Sequence, residues 1–235
     1  TYRRMVKLVY IGGYGHSGST LLEYLMTGCP TLVGCGEVVN STRLEASTRI
    51  CSCGQATADC VVWGFISDDE LDVRHWNHSS LDVKLLEQAA SQYLAVVDSS
   101  KTAWRDAAAP YALRRRLDQD FELVHIVRDP RAVCWSLLKR EKRIGAKSAK
   151  PNPILLSMET AAGWCYANLA CEIFRWRYPA QYRRVRYEDL ADDPTRAVSG
   201  LLAELLPEAR WDFDSIGTAN NRHQLYANRM RMDPL

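Results

Sequence analysis

The sequence lacks the features that would tie it to a membrane, to nucleic acid or to a disordered class. Its 30 Lys and Arg residues nearly balance 28 Asp and Glu residues, which leaves a formal net charge of +2. So small a charge gives no general attraction to nucleic acid or to an anionic membrane. No apolar run approaches the roughly 20 residues that a membrane-spanning helix needs. Any chemistry that involves anions must therefore come from local clusters of residues.

The length and composition are those of an ordinary globular chain. With 235 residues, of which 47% are hydrophobic and 25% charged, we predict a single domain over residues 1–235. No apolar segment typical of a secretion signal follows the charged residues at positions 3 and 4. This favours a cytoplasmic location, and a membrane-anchored protein trimmed to this chain is the alternative.

Eight cysteines are too few for a disulfide scaffold. Three of them, Cys51, Cys53 and Cys60, are concentrated in a Cys-Ser-Cys-Gly-x5-Cys pattern. Reduced structural thiols are the favoured interpretation, and a disulfide is the second. A zinc site is the third, and it needs a fourth ligand such as His75 or His78.

Short apolar segments with the character of strands alternate with segments of helical periodicity. The predicted strands are 6–11, 31–33, 94–98, 121–127 and 182–187, and the predicted helices are 19–26, 82–93, 110–118, 131–143, 157–178 and 194–206. This alternation predicts an α/β fold with a central parallel sheet flanked by helices. Residues 40–80 are predicted to be an irregular excursion over the sheet, and residues 144–153 a loop. Ligands of such sheets lie beyond the carboxyl ends of the strands.

A glycine-rich segment, Gly13–Thr20, joins the first strand to the first helix. Its backbone N–H groups and the helix N-terminus together favour an anion. The predicted anion ligands are Gly15, His16, Ser17, Gly18, Ser19 and Thr20. Ser19 stands where a Walker A loop needs lysine, which argues against hydrolysis of ATP or GTP.

A second predicted anion site follows the strand 121–127. Arg128 comes directly after that strand, and the next helix places Ser136 and Arg140 four residues apart on one face. A guanidinium fork donates two parallel hydrogen bonds to a phosphate. Ion pairs of these arginines with Asp129 and Glu141 are the alternative. Two separate anion sites indicate a ligand with two separated phosphate-like groups.

Three segments, in this order, resemble motifs of the sulfotransferase family. Residues 15–20 resemble its 5′-phosphosulfate loop, residues 128–136 its 3′-phosphate motif, and residues 185–190 its Tyr-Glu-Asp-Leu strand end. The resemblance spans residues 6–194. It implies a P-loop-NTPase-like fold, 3′-phosphoadenosine 5′-phosphosulfate (PAPS) as sulfuryl donor and adenosine 3′,5′-bisphosphate as product. It also implies that Tyr187 lies near the adenine, and that the transfer requires no metal.

The resemblance also implies catalytic roles. Gly34–Glu37 resembles the Cys-Gly-Glu segment of the protein-tyrosine sulfotransferase branch, whose glutamate is the general base, so Glu37 is the expected base. In the same branch a lysine at the place of Lys101 contacts the transferring group. Many family members carry Lys or Arg where this chain has His16. The charge on the leaving phosphate is therefore stabilised by His16 or by Lys101.

Two other functions remain open at this point: a P-loop kinase of a nucleotide or small molecule, and a non-catalytic nucleotide-binding module. The acceptor is a hydroxyl on a small molecule, a sugar or a tyrosyl residue. Residues 40–80, with Trp63 and Trp76, and the loop 144–153 are its expected walls, although a core role for the tryptophans is equally compatible with the pattern. Arg222, Arg229 or Arg231 of the C-terminal tail could close the nucleotide site.

Overall fold

A computed structural model describes residues 6–41, 50–66, 78–102, 106–144, 152–217 and 220–225. Five parallel strands form the central sheet in the order β2-β3-β1-β4-β5. The strands are β1 (Lys7–Gly12), β2 (Leu32–Gly34), β3 (Ala95–Asp98), β4 (Phe121–Val127) and β5 (Tyr182–Arg186). The helices are α1 (Ser19–Met26), α2 (Val38–Ser41), α3 (His78–Ala89), α4 (Ala109–Leu117), α5 (Pro130–Ile144), α6 (Pro153–Arg177), α7 (Tyr187–Asp192) and α8 (Pro194–Leu205). The predicted α/β fold with a parallel sheet flanked by helices is confirmed.

Strands β1 to β4 are largely apolar on both faces because helices cover both faces of the sheet, whereas the edge strand β5 carries three arginines. Successive side chains of a strand point to opposite faces. In β1, Leu8 and Tyr10 belong to one buried cluster, whereas Val9 and Ile11 belong to another. The first cluster includes side chains of α3, α4 and α6, and the second includes side chains of α1 and α8. The sheet is therefore the middle layer of three.

The strand order creates a switch point between β1 and β4. From β1 the chain runs through α1 to β2 on one side of the sheet. From β4 it runs through α5 and α6 to β5 on the other side. Neighbouring strands whose connections leave in opposite directions form a crevice, and open α/β sheets bind ligands there. The two predicted anion-binding segments follow these two strands.

Most predicted elements lie where the pattern indicated, and the differences occur at their ends. Strand β4 has the predicted bounds, but α3 ends at Ala89 rather than at residue 93. Helix α6 begins earlier than predicted because the Asn152 side chain accepts a hydrogen bond from Ile154 N and caps its N-terminus. Tyr187 begins the short helix α7 instead of ending β5. The predicted loop 144–153 lies mostly outside the described residues, as do residues 42–49 and 67–77 of the excursion.

Residues 220–225 extend the sheet at β2, whereas the sequence indicated only an irregular tail there. Gly34 N donates to Asn221 O at 2.9 Å, and His223 N donates to Gly34 O at 2.8 Å. The Asn221 side chain is 2% exposed, and its Nδ2 donates to three backbone carbonyls, those of Thr27, Cys29 and Leu32. None of the helices in the described ranges is long and apolar enough to cross a bilayer.

We predict that Asn221→Ala lowers the free energy of unfolding by about 3 kcal/mol, because it removes the buried hydrogen bonds of the Asn221 amide to three backbone carbonyls. Urea denaturation followed by circular dichroism measures the change. The neighbouring Asn220 side chain is exposed, and Asn220→Ala is the matched control with an expected change within about 0.5 kcal/mol. Equal effects of the two substitutions would contradict the role of the Asn221 amide.

Candidate active site

At two positions of the loop between β1 and α1, the backbone conformation and the close packing admit only glycine. Gly13 has φ +126°, and a Cβ there would lie 2.5 Å from the Ile126 carbonyl oxygen. Gly18 has φ +99°, and a Cβ there would lie 2.5 Å from Cδ2 of Tyr187. These conformations cost little only for a residue without a side chain. The loop is thereby packed directly against the carboxyl ends of β4 and β5.

The inner side of this loop offers polar groups to an anion. Gly18 is the N-cap of α1, and because it has no side chain it satisfies none of the N–H groups of the first turn. Ser17 is fully buried, and its Oγ has no hydrogen-bond partner among the described residues. A buried hydroxyl without a partner is costly. The N–H groups of the first turn and the Ser17 hydroxyl together fit an anionic group held at the start of α1.

Arg128, which follows β4, links the loop to the end of β5. Its Nη1 donates to the His16 carbonyl at 3.0 Å, and its guanidinium carbon lies 3.8 Å from the centre of the Tyr187 ring. Its Nε is buried and has no partner within the described part of the chain. One donor of the guanidinium thus fixes the loop, while another has no hydrogen-bond partner among the described residues.

His16 lies between the two predicted anion sites. Its Nδ1 is hydrogen-bonded to Ser136 Oγ at 3.0 Å, so the loop after β1 and helix α5 are in direct contact. Burial lowers the pKa of His16 below its ordinary value, and the positive charges of Arg140, Lys101 and Arg128 lower it further. His16 is therefore a neutral imidazole near pH 7.

Glu37 and Lys101 form an ion pair at the ends of β2 and β3. Their side chains are only 15% and 13% exposed, which reduces screening by water. Asn40 Nδ2 donates to the other carboxylate oxygen of Glu37 at 2.5 Å. Both charges act on the loop: Lys101 lowers the pKa of His16, and Glu37 raises it.

Two of these residues have a strained backbone. His16 has φ +65° and Lys101 has φ +74°, in the left-handed region that side chains disfavour by about 1 kcal/mol or more. Lys101 is held there because its N–H donates to Ile11 O at 3.1 Å and its carbonyl accepts from the Tyr10 hydroxyl. Such strain persists where the surroundings fix the backbone, and it is concentrated at functional sites.

A buried polar network, which sequence reasoning missed, positions Glu37 and Lys101. Glu23 of α1 is fully buried and accepts hydrogen bonds from Gly36 N at 2.7 Å and Ser99 Oγ at 2.6 Å. Desolvation raises its pKa. The only available signal was a carboxylate inside the apolar run Leu-Leu-Glu-Tyr-Leu-Met.

Asp98 ties the same two loops together from the end of β3. Its Oδ1 accepts hydrogen bonds from Val38 N at 3.3 Å and from Ser100 N at 2.8 Å. The Ser100 hydroxyl in turn accepts from Val39 N at 3.0 Å. The loops that carry Glu37 and Lys101 are therefore fixed by buried carboxylates and hydroxyls.

The structure thus brings most of the predicted site residues to one edge of the sheet. Residues 15–20, Arg128, Ser136 and Tyr187 lie together, and the charge of Arg140 is near enough to act on His16. Of the three tail arginines, Arg222 lies over the ring of Tyr24, at 4.8 Å from its centre. Arg229 and Arg231 fall outside the described residues.

Of the two tryptophans expected at the acceptor wall, one lies within the described residues. Trp63 is fully buried and donates to the His223 carbonyl at 2.5 Å, so its side chain belongs to the core and not to an acceptor wall. Trp76 lies outside the described residues.

An open cavity of about 490 Å³ lies beside Arg128 and is lined also by Trp164, Arg186 and Glu188. It shares only Arg128 with the cluster described above.

The comparisons with known proteins agree with this geometry. The model of the Sulfotransferase family matches residues 9–210, and the chain belongs to that family. It is accordingly a transferase of the sulfotransferase class. No curated protein matches the chain.

Solved sulfotransferase structures share the fold. The sulfotransferase domain from the curacin biosynthetic pathway has a TM-score of 0.58 and 20% identity, over 86% of this chain and 74% of that one. The sulfotransferase domain of the Synechococcus PCC 7002 olefin synthase has a TM-score of 0.55 and 19% identity, over 87% and 75%. The sulfotransferase from Alicyclobacillus acidocaldarius has a TM-score of 0.55 and 12% identity, over 87% and 83%. At these identities the likeness establishes the P-loop-like α/β fold alone.

We predict that Gly18→Ala lowers the free energy of unfolding by about 2 kcal/mol or more, because it adds backbone strain and a clash with Tyr187. Urea denaturation without ligand measures this. Gly15→Ala is the matched control, since a Cβ there meets nothing within 4 Å and its φ lies outside the left-handed region. We expect it to change stability by no more than about 0.5 kcal/mol. Similar losses in both variants would show that the loop does not depend on the conformation of Gly18.

Proposed function

We propose that the protein transfers the sulfuryl group of PAPS to a hydroxyl acceptor by in-line displacement. The observation that carries this proposal is the contact between the loop after β1 and the Arg128–Ser136 segment after β4. This contact supports two anion sites on one crevice, which suits a nucleotide with phosphate groups at both its 5′ and 3′ positions. Ser19 in place of the Walker lysine disfavours a kinase.

The donor would be held by groups that have unused hydrogen-bonding capacity. Residues 15–20, including the buried Ser17 hydroxyl, would bind the 5′-phosphosulfate. Arg128, Ser136 and Arg140 would bind the 3′-phosphate. Tyr187 would lie on the adenine side while its ring supports the Arg128 guanidinium. The product is then adenosine 3′,5′-bisphosphate.

The roles in the transfer follow from charge and position. Glu37 would accept the proton of the acceptor hydroxyl, because it is a shielded carboxylate beside the loop. The oxygen of the leaving phosphate gains negative charge and needs a cation or donor. Since burial and neighbouring cations lower the pKa of His16 in the ligand-free chain, we assign the positive charge to Lys101 and a hydrogen bond to His16. No step in this scheme needs a metal.

We predict that Arg128→Gln weakens the binding of adenosine 3′,5′-bisphosphate by about 10- to 100-fold, because the variant loses a charged hydrogen bond to the 3′-phosphate. Isothermal titration calorimetry without Mg²⁺ measures this. Binding of adenosine 5′-phosphate, which lacks the 3′ group, should change far less.

The control for this prediction is Arg131→Gln. The Arg131 side chain is 90% exposed and pairs with Asp129. We therefore expect the affinity of the Arg131→Gln variant for the bisphosphate to stay within about 2-fold of the wild-type affinity. An equal loss for both nucleotides in Arg128→Gln would assign Arg128 to loop structure instead. A larger thermal shift with ATP and Mg²⁺ than with the bisphosphate would favour a kinase.

We predict that Glu37→Gln lowers kcat by about 10²- to 10⁴-fold, the usual contribution of a general base, and leaves the Kd of adenosine 3′,5′-bisphosphate within a few-fold. Transfer of radiolabelled sulfate from PAPS to a panel of phenols, sugars and tyrosyl peptides first identifies an acceptor and then measures kcat.

Glu87→Gln, on the outer surface of α3, is the control and should retain full activity. Loss of nucleotide binding in Glu37→Gln would make Glu37 structural. Absence of transfer to every acceptor by the wild type would favour a binding module.

A further inference from the structure

Three cysteines and one histidine converge at a point that the proposed transfer does not use. The sulfur atoms of Cys51, Cys53 and Cys60 and the Nδ1 of His223 all lie within 4.8 Å of one another. Cys51, Cys60 and His223 are buried, and Cys53 is half-buried. The histidine comes from the C-terminal segment, more than 160 residues beyond the last of the cysteines.

Four of the six distances between these atoms are close to those of a tetrahedron around a metal ion. With Zn–S bonds of about 2.3 Å, two sulfur ligands of a tetrahedral zinc site are about 3.8 Å apart. Cys60 Sγ lies 3.7 Å from Cys51 Sγ and 3.9 Å from Cys53 Sγ. The same geometry, with a Zn–N bond of about 2.0 Å, places nitrogen and sulfur about 3.5 Å apart. His223 Nδ1 lies 3.2 Å from Cys60 Sγ and 4.0 Å from Cys51 Sγ.

The hydrogen bond on the far side of the His223 ring favours a metal-binding tautomer. His223 Nε2 lies 3.1 Å from the Asn220 carbonyl oxygen. A carbonyl only accepts, so Nε2 carries the proton and Nδ1 turns its lone pair toward the three sulfur atoms. Histidines that bind metals are oriented in this way by a carbonyl or carboxylate.

A tight turn at residues 51–54 joins two of the three cysteines. Gly54, which follows Cys53, has φ +85°, and its N–H donates to Cys51 O at 2.9 Å. This tight turn brings the sulfur atoms of Cys51 and Cys53 to the same side.

A disulfide explains the cluster less well. A disulfide joins two sulfur atoms at about 2.05 Å, and it would leave the third thiol and the aimed imidazole without a role. Here Cys60 is nearly equidistant from both other sulfur atoms, and all of these cysteines are unbridged. Reduced thiols alone would not require an imidazole lone pair in their midst.

We propose that Cys51, Cys53, Cys60 and His223 bind one zinc ion in a closed structural site. Soft thiolates with one imidazole select zinc, and four protein ligands leave no position for a substrate. The site would tie residues 50–66 to residues 220–225, which are in turn hydrogen-bonded to Gly34, three residues before Glu37. The proposed fourth ligand is thus His223, whereas His75 and the side chain of His78 lie outside the described part of the chain. The proposal is independent of the transfer reaction.

The first test measures metal content in the full chain, purified without a metal-binding tag from cells grown with added zinc. Elemental analysis should find about one zinc ion per chain, since a closed four-ligand site holds a single ion. Cys60→Ser and His223→Ala should lose nearly all of it. Cys165→Ser removes an exposed thiol outside the cluster and should retain the wild-type content.

The second test uses the wild-type chain, so it does not depend on whether the variants fold. Zinc is removed by a chelator under reducing conditions, and Co²⁺ is added alone. We expect the intense visible bands of tetrahedral Co²⁺ together with a sulfur-to-cobalt charge-transfer band. Three outcomes would each overturn the proposal. They are a Co²⁺ spectrum with only the weak bands of octahedral coordination, wild-type protein without zinc, and a disulfide at Cys60 found by mass spectrometry of the unreduced chain.

Discussion

The geometry of the site depends on one guanidinium group. Arg128 donates to the carbonyl of His16 and lies on the ring of Tyr187, so it joins the segments that follow β1, β4 and β5. Parallel strands alone would bring these segments to the same edge, but not into contact. Because Gly18 has no side chain, Tyr187 can lie directly against the loop. The two segments predicted to bind anions therefore meet at the switch point of the sheet.

Sequence reasoning predicted the parts of the site that are local in the chain. The strand 121–127 and the loop 13–20 carry their signals within a few residues, as apolar runs and glycine spacing. Since every strand is parallel, the residues after each one were expected at the same edge, and Glu37, Lys101, Arg128 and Tyr187 all lie there. Strand order was not readable, because it depends on contacts between distant segments.

The features that were missed have partners far away in the sequence. Glu23 is a buried carboxylate only because Ser99 and Gly36 are folded against it, and nothing near residue 23 indicates this. His223 lies in a tail that the composition described as polar and irregular, yet it faces the cysteine cluster. Tyr187 was placed at the end of a strand, and the acidic residues that follow it begin a helix instead. Burial of polar groups is decided by tertiary contacts, which a one-dimensional pattern does not contain.

The ion pair between Glu37 and Lys101 has a consequence for the timing of the proposed reaction. While the acceptor keeps its proton, the Glu37 carboxylate neutralises the Lys101 ammonium group, so the pair itself adds little net charge to the site. Once the carboxylate takes up that proton it loses its charge, and the ammonium field is no longer compensated. In the proposed reaction, base and cation would therefore act together: deprotonation of the nucleophile would leave the Lys101 charge uncompensated as negative charge builds on the departing phosphate.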